Sequence, residues 1–336
     1  MKNRIALALC AAMAILFPQV VSAAALCCQI SSSSQERFSG AAVPQEGEVT
    51  VQFNYNFTRM DRFMEGGTER SLDYVKANSG YNSLPVVMDM VKYTLTAGYG
   101  ISPDLRAFVS VPYIRNTMDM SMFMMGTWKD NTMAPVSGLG DITVMALYRL
   151  YADSVPRPAS TISLGLGLKT ATGSFTETNP SGTRFIHAHM QPGTGSWDPI
   201  VTLAYTRALN ALQVQADLAY QLTTENRRGY EFGDSFAANL WGRYDVAADI
   251  GVTAGLTYLH VGRASDKDGK YTLLTSLMDD PKNTGGDSLW LSPGIQASPF
   301  EATTLDIKVQ LPVWVNANGI QLVTRYQFTA GLTYRF

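Results

Sequence analysis

Arg325-Tyr326-Gln327-Phe328-Thr329-Ala330-Gly331-Leu332-Thr333-Tyr334-Arg335-Phe336 ends the chain, and its two parities differ in kind. Tyr326, Phe328, Ala330, Leu332, Tyr334 and Phe336 form one set; Arg325, Gln327, Thr329, Gly331, Thr333 and Arg335 form the other. A strand sends successive side chains to opposite faces, so this segment has one oily and one wet face. Glu48–Thr58 repeats the pattern, with Val49, Val51, Phe53, Tyr55 and Phe57 alternating with Thr50, Gln52, Asn54 and Asn56. Crossing a bilayer with a tilted strand takes about 9–11 residues, and both segments are long enough.

The same template, carried along the chain, predicts about twelve strands. After the first come Met90–Gly100, Leu105–Arg115, Asp141–Leu150, Ser160–Lys169, Trp197–Thr206 and Leu212–Leu222. Ser235–Tyr244, Asp249–His260, Leu289–Ser298, Thr303–Val313 and Val323–Phe336 complete the set. The connections alternate between short ones, such as Ile101–Asp104 and Leu209–Asn210, and longer ones: Arg59–Pro85, Asn116–Gly140, Thr170–Ser196, Thr223–Asp234, Val261–Ser288 and Trp314–Leu322. Short periplasmic turns and long external loops mark a transmembrane antiparallel up-and-down β-barrel. The terminal Phe336 suits such a barrel, since bacterial outer-membrane barrels typically end on phenylalanine and present their last strand to the barrel-assembly machinery.

Charge placement tests the reading. Lys92, Arg106, Arg149, Lys169, Asp217, Arg243, Asp306, Lys308, Arg325 and Arg335 all take the parity opposite the aliphatic and aromatic residues. A charge facing lipid at mid-bilayer costs about 2–4 kcal/mol, so the charged parity must face inward. All of these except Arg335 are candidate lumen-lining residues. A soluble β-sandwich also alternates, but its turns need not alternate short and long. Trp197, Trp290 and Trp314 suit an interfacial aromatic belt.

The N-terminus is read as a secretion signal over residues 1–23. Lys2 and Arg4 precede the apolar stretch Ile5–Phe17, and Val21-Ser22-Ala23 supplies small residues for cleavage. Residues 24–47 then form a flexible periplasmic leader and 48–336 the barrel. Without Lys2 and Arg4 the 26 basic residues become 24, against 28 acidic ones. This mildly acidic balance lacks the basic stripe of a nucleic-acid binder. Cys10 leaves with the signal, and Cys27 and Cys28 make no disulfide framework.

Several short motifs recur in a fixed order. They are Gly138-Leu139-Gly140-Asp141, Gln191-Pro192-Gly193-Thr194-Gly195-Ser196-Trp197-Asp198 and Tyr230-Glu231-Phe232-Gly233-Asp234, followed by Leu291-Ser292-Pro293-Gly294 and Leu311-Pro312-Val313 with Asn318-Gly319. In these the chain resembles the bacterial outer-membrane transporter family named for the meta-pathway of phenol degradation, over most of its length after residue 85. The resemblance implies a barrel of about twelve strands in the outer membrane and passive uptake of small, often hydrophobic or aromatic, molecules. It implies no catalytic residues.

Two further patterns carry chemistry of their own. Met118, Met120, Met122 and Met124 alternate within one predicted external loop, and a second loop holds His187, His189 and Met190. Thioethers with imidazole suit copper as Cu(I), which makes a copper-binding barrel the alternative function; the bland account is that methionine fills irregular gaps. Gly286-Asp287-Ser288-Leu289 imitates a lipolytic serine motif, but the last histidine, His260, precedes it. A lipolytic enzyme is therefore the weakest reading, and the expectation is that the chain is not an enzyme. Asp266, Asp268, Asp279 and Asp280 read as a solvated acidic loop rather than a calcium site, because no complete ligand pattern is present.

Overall fold

Alternation of this kind is stable only as a closed wall, because an unpaired strand edge in lipid leaves backbone amides unsatisfied. The computed structural model describes residues 44–154, 158–267, 269 and 276–336 and shows such a wall. The signal, Cys27, Cys28 and the leader up to residue 43 lie outside the described residues. The wall is built from β1 (Val49–Gly66), β2 (Ser83–Gly100), β3 (Leu105–Met124), β4 (Thr143–Ala152), β5 (Ser160–Lys169) and β6 (Asp198–Leu209). It continues through β7 (Leu212–Gln221), β8 (Ser235–Ala247), β9 (Ile250–Val261), β10 (Gly286–Leu291), β11 (Gly294–Phe300) and β12 (Thr303–Arg335). Neighbours pair antiparallel in sequence order, and Thr50 opposite Arg335 closes the ring.

Three of these strands need counting differently from the rest. β10 and β11 are halves of one stave, interrupted at Ser292-Pro293, and both pair with β9 on one side and β12 on the other. β12 doubles back on itself. Its first part pairs with β10 and β11 and its second with β1, while the Arg335 amide returns to the Ala302 carbonyl at 2.9 Å. Gly319, at φ +60°, sits at the reversal, where its freedom at positive φ is needed. Nine staves from β1–β9, one from β10 and β11 and two from β12 give twelve among the described residues, against about twelve expected.

Polarity is inverted relative to a soluble protein. Phe53, Leu95, Leu166, Leu240, Ile307 and Tyr334 are exposed on the outside, while Gln52, Asn54, Asn56, Thr94, Ser110, Asn239 and Thr329 are buried inside. So continuous an apolar exterior is matched by lipid, not water. The interior polar groups find one another: Asn56 Nδ2 donates to Thr329 Oγ1 at 2.9 Å, and Thr96 and Ser110 hydroxyls share a 2.9 Å bond.

The strands reach further at the long-loop end than the alternation predicts. β1 continues to Gly66 and β3 to Met124, where loops were expected from Arg59 and Asn116. Residues 314–322 form strand on both sides of a tight turn rather than a loop. The cause is a change of phase. β1 slips register on β12 around Arg59, Met60 and Arg62, and β2 slips on β3 between Pro85 and Val87. A bulge moves every later side chain to the other face, so a period-2 reading stops there. Between β1 and β2 a short helix, α1 (Leu72–Asn78), is capped by Ser71, whose Oγ accepts from the Tyr74 amide at 3.2 Å. It buries Val75 over the mouth.

Candidate functional site

The interior has two chemically distinct zones. Toward the short turns, a cavity of about 670 Å³ is walled by Arg106, Arg149, Thr161, Thr206, Gln213 and Gln215. Arg106 Nε donates to the Pro44 carbonyl at 2.8 Å, and Arg149 Nε pairs with Asp104 Oδ1 at 2.8 Å. Higher up, Asp217 accepts from Asn239 Nδ2 at 2.6 Å and Gln215 Nε2 at 3.2 Å. Lys308 and Asp306 line the same stretch as Gln215, Asp217 and Gln296. Lys92 is buried in the interior, and Arg243, mostly buried, pairs with Asp245 at 2.9 Å.

Toward the long loops the inward positions turn apolar. Along β2 the inward order Thr96, Thr94, Lys92 gives way to Met90 and Met88; along β3, Asn116 is followed by Met118 and Met120; along β9, Thr257 is followed by Leu259 and Val261. Met60, Phe63, Val75, Leu84, Met88, Met118, Ile186, Met190, Leu277 and Leu322 pack into one buried cluster that fills the mouth. The space left among Met60, Met88, Met118, Met278, His189 and Leu322 is only about 30 Å³, room for little more than a water or two.

Residues 170–197, the loop after β5, reach into this cap and are held at three places. At the base, Lys169 Nζ pairs with Asp198 Oδ2 at 2.6 Å and Asp141 Oδ2 at 3.2 Å, with both carboxylates buried. Asp141 also accepts from the Gly173 and Thr194 amides at 2.9 and 2.8 Å. Gly173 and Gly193 pass so closely that a Cβ on Gly193 would lie 2.5 Å from the Gly173 carbonyl carbon. At the tip, Tyr230 and Phe232 cradle the His189 ring edge-on, with centroids 6.5 and 5.7 Å away. At the side, His187 Nδ1 meets the Asp279 carboxylate at 2.8 Å, joining this loop to the segment before β10. Three of the ordered motifs (138–141, 191–198 and 230–234) therefore build the seat of one inward-folded loop.

Electrostatics tighten that seat. Burial pulls the His187 imidazole down, but the charge of Asp279 and the bond to it outweigh that and leave it raised. Burial, and then the neighbouring His187, lower His189 to about 4, so its ring is neutral at neutral pH.

Several expectations need correction. Arg325 is not a lumen residue: the bulge opposite Met60 turns Thr324 inward and Arg325 outward, where it pairs with Asp61. Lys169 is on the inner face but is caged by two carboxylates rather than offered to solute. Met118 and Met120 are buried in strand, not loop; Met122 is half-buried and Met124 exposed, so the four sulfurs do not share one environment. Trp290 is no belt residue, being buried with its Nε1 donating to Ser288 Oγ at 2.8 Å. Trp197 and Trp314 are exposed. Ser288 faces inward on β10 while His260 faces outward on β9, bonded to Asp287 at 2.8 Å, so the serine has no histidine beside it. Asp279 is buried rather than solvated, and Asp280, half-buried, accepts from Tyr81 at 2.8 Å; Asp268 lies outside the described residues. Among the described residues no three His, Cys, Asp or Glu side chains gather as a metal site.

Alternation had not pointed to Met60, Met88, Leu277 or Asp279. Met88 and Met90 do share the parity of Lys92, a local signal that the wet face had turned oily.

Residues 106–336 match the family described as "Putative MetA-pathway of phenol degradation". No curated protein matches the chain. Among solved structures, an outer membrane channel from Pseudomonas putida F1 superimposes with a TM-score of 0.56 at 15% identity, over 89% of this chain and 98% of that one. That likeness shows the fold, a barrel of the outer-membrane type. The Ralstonia pickettii toluene transporter TbuX and the CymD monoaromatic hydrocarbon channel are more distant. Each has a TM-score of 0.43 at 9% identity; coverage is 86% of this chain and 89% of that one for TbuX, and 87% and 88% for CymD. They are too far removed to bear on function.

Proposed function

We propose, from the premise that this chain belongs to the "Putative MetA-pathway of phenol degradation" family, that it is an outer-membrane channel for passive uptake of small hydrophobic or aromatic molecules. The observation that carries the reading is the switch of the inner wall from polar to apolar, with the apolar part under the external loops. A narrow constriction whose wall is mostly apolar resists hydrated ions. A small apolar solute instead gains about 25 cal/mol for each Å² it buries among Met60, Met88, Phe63 and Leu322. Displacement of the loop tip then lets it pass into the aqueous cavity below and out toward the periplasm. No energy source is required, because the solute moves down its gradient. Insertion into the bilayer would follow delivery of the last strand, ending at Phe336, to the barrel-assembly machinery.

The test is uptake of a neutral single-ring aromatic at micromolar concentration by cells with a lipopolysaccharide-bearing outer membrane. Cells carrying the protein should accumulate it several-fold faster than cells lacking it, as roughly expected when a polar leaflet is bypassed. An aromatic carboxylate of the same size should gain much less. Equal gains for both solutes would reject an apolar route, and no gain for either would reject a channel.

A further inference from the structure

We propose that the cavity ringed by Met60, Met88, Met118, Met278 and His189 binds one soft monovalent metal ion, Cu(I) or Ag(I). These five side chains come from β1, β2, β3, the loop after β5 and the segment before β10, yet all of them line a single space of about 30 Å³. That space accepts an ion and little else. The donor set decides the class of ion. Thioethers are neutral and polarizable, so they offer little to hard cations such as Mg²⁺ or Ca²⁺ and select Cu(I) and its congeners, with imidazole beside them. Asn283 and Gln321 also border the space, but their amides bond to Tyr81, Leu277 and Ile320 and to Gly285 and Asn318. Leucine would fill the same wall as well, so plain packing gives no reason for methionine to recur from three successive staves and a loop.

The imidazole is prepared for the role. His189 is buried at 3% exposure, and the edge-on rings of Tyr230 and Phe232 fix its orientation. The structure reassigns the copper ligands that sequence alone put forward. Met118 and His189 stay. Met120 and Met190 are buried in the cap without lining the cavity, Met122 is half-buried and does not line it either, Met124 is exposed, and His187 is engaged by Asp279. Met60, Met88 and Met278 take their places.

The test is competition for Cu(I) between the detergent-purified mature protein and a Cu(I)-specific chelator, under ascorbate. Cys27 and Cys28 are replaced by serine throughout so that thiolates do not compete. The expected result is one Cu(I) per chain, with affinity falling at least tenfold in Met88→Leu/Met118→Leu, which keeps side-chain volume, and unchanged in Met124→Leu. X-ray absorption of the copper-loaded protein should show sulfur and nitrogen scatterers together, a readout that does not depend on any variant folding. Absence of stoichiometric uptake, undiminished binding in the folded double variant, or oxygen and nitrogen scatterers alone would each overturn the assignment.

Discussion

The two halves of the tube share one wall and differ in what they turn inward. In the half next to the short turns, polar side chains such as Arg106, Arg149, Thr161 and Gln213 wall a cavity of about 670 Å³, and the Asn56–Thr329 and Asp217–Asn239 pairs bond across the inner face above it. In the half next to the long loops, Met60, Met88, Met118, Leu277 and Leu322 leave almost no space at all. The wall itself is held by strand ladders throughout. The seal is completed by Ile186, Met190 and Leu277 from two inserted segments packed on those strand residues, and such segments are the class of structure that opens at least cost. A barrel can thus stay rigid while its outer end yields.

The comparison can be broken most forcefully at the base of the inserted loop. Lys169→Met leaves Asp141 and Asp198 buried without their cation, which costs about 3–5 kcal/mol. A lower denaturation midpoint in detergent and a larger ionic current across planar bilayers are expected. A variant as stable and as quiet as wild type would show that the loop is seated by other means.

Cavity formation in the seal is the next test. Leu277 is 1% exposed, and Leu277→Ala removes packing worth about 2–5 kcal/mol. Ser110→Ala, which removes the 2.9 Å hydroxyl bond to Thr96 in the polar half, should cost about 1 kcal/mol. Thermal melts compare the two, and only the first should raise apolar solute flux. Similar costs for both would erase the distinction between the halves.

Proton linkage sharpens the picture further. His187 is raised from 6.5 by Asp279, so its contribution to the latch is complete below pH 6.5 and fades as pH climbs through the raised value. Open probability should increase a few-fold, roughly, between pH 6 and pH 9. His187→Gln should show no such rise; an identical pH profile in that variant would remove the latch from the account.

The smallest effect belongs to the outer surface. Arg325 is half exposed and pairs with Asp61, so Arg325→Gln should leave stability nearly unchanged and ion selectivity alone. Arg106→Gln, inside the lumen, should shift selectivity toward cations in reversal-potential measurements. The opposite ranking would put Arg325 back in the lumen.

The polar half was legible from sequence because alternation with period 2 persists there, from Thr50 to Asn56 and from Gln327 to Thr333. The seal was not, for two physical reasons. The slips near Met60 and Pro85 change the phase of the pattern, so strand reads as loop and Arg325 takes the wrong face. The latch joins His187 to Asp279 across 92 residues of sequence, and no local periodicity encodes such a meeting. The motif glycines were visible, but their use, letting residues 173 and 193 touch, required the fold.

Thiol labelling tests the apolar seal most directly. With Cys27 and Cys28 replaced by serine, Gln213→Cys places one thiol in the large lower cavity. Porin-deficient cells are then treated from outside with a charged and an uncharged reagent of equal size. The account predicts that the uncharged reagent labels far faster, and that adding Asp279→Asn brings the charged reagent up to the same rate. Equal labelling by both reagents with the latch intact would contradict it.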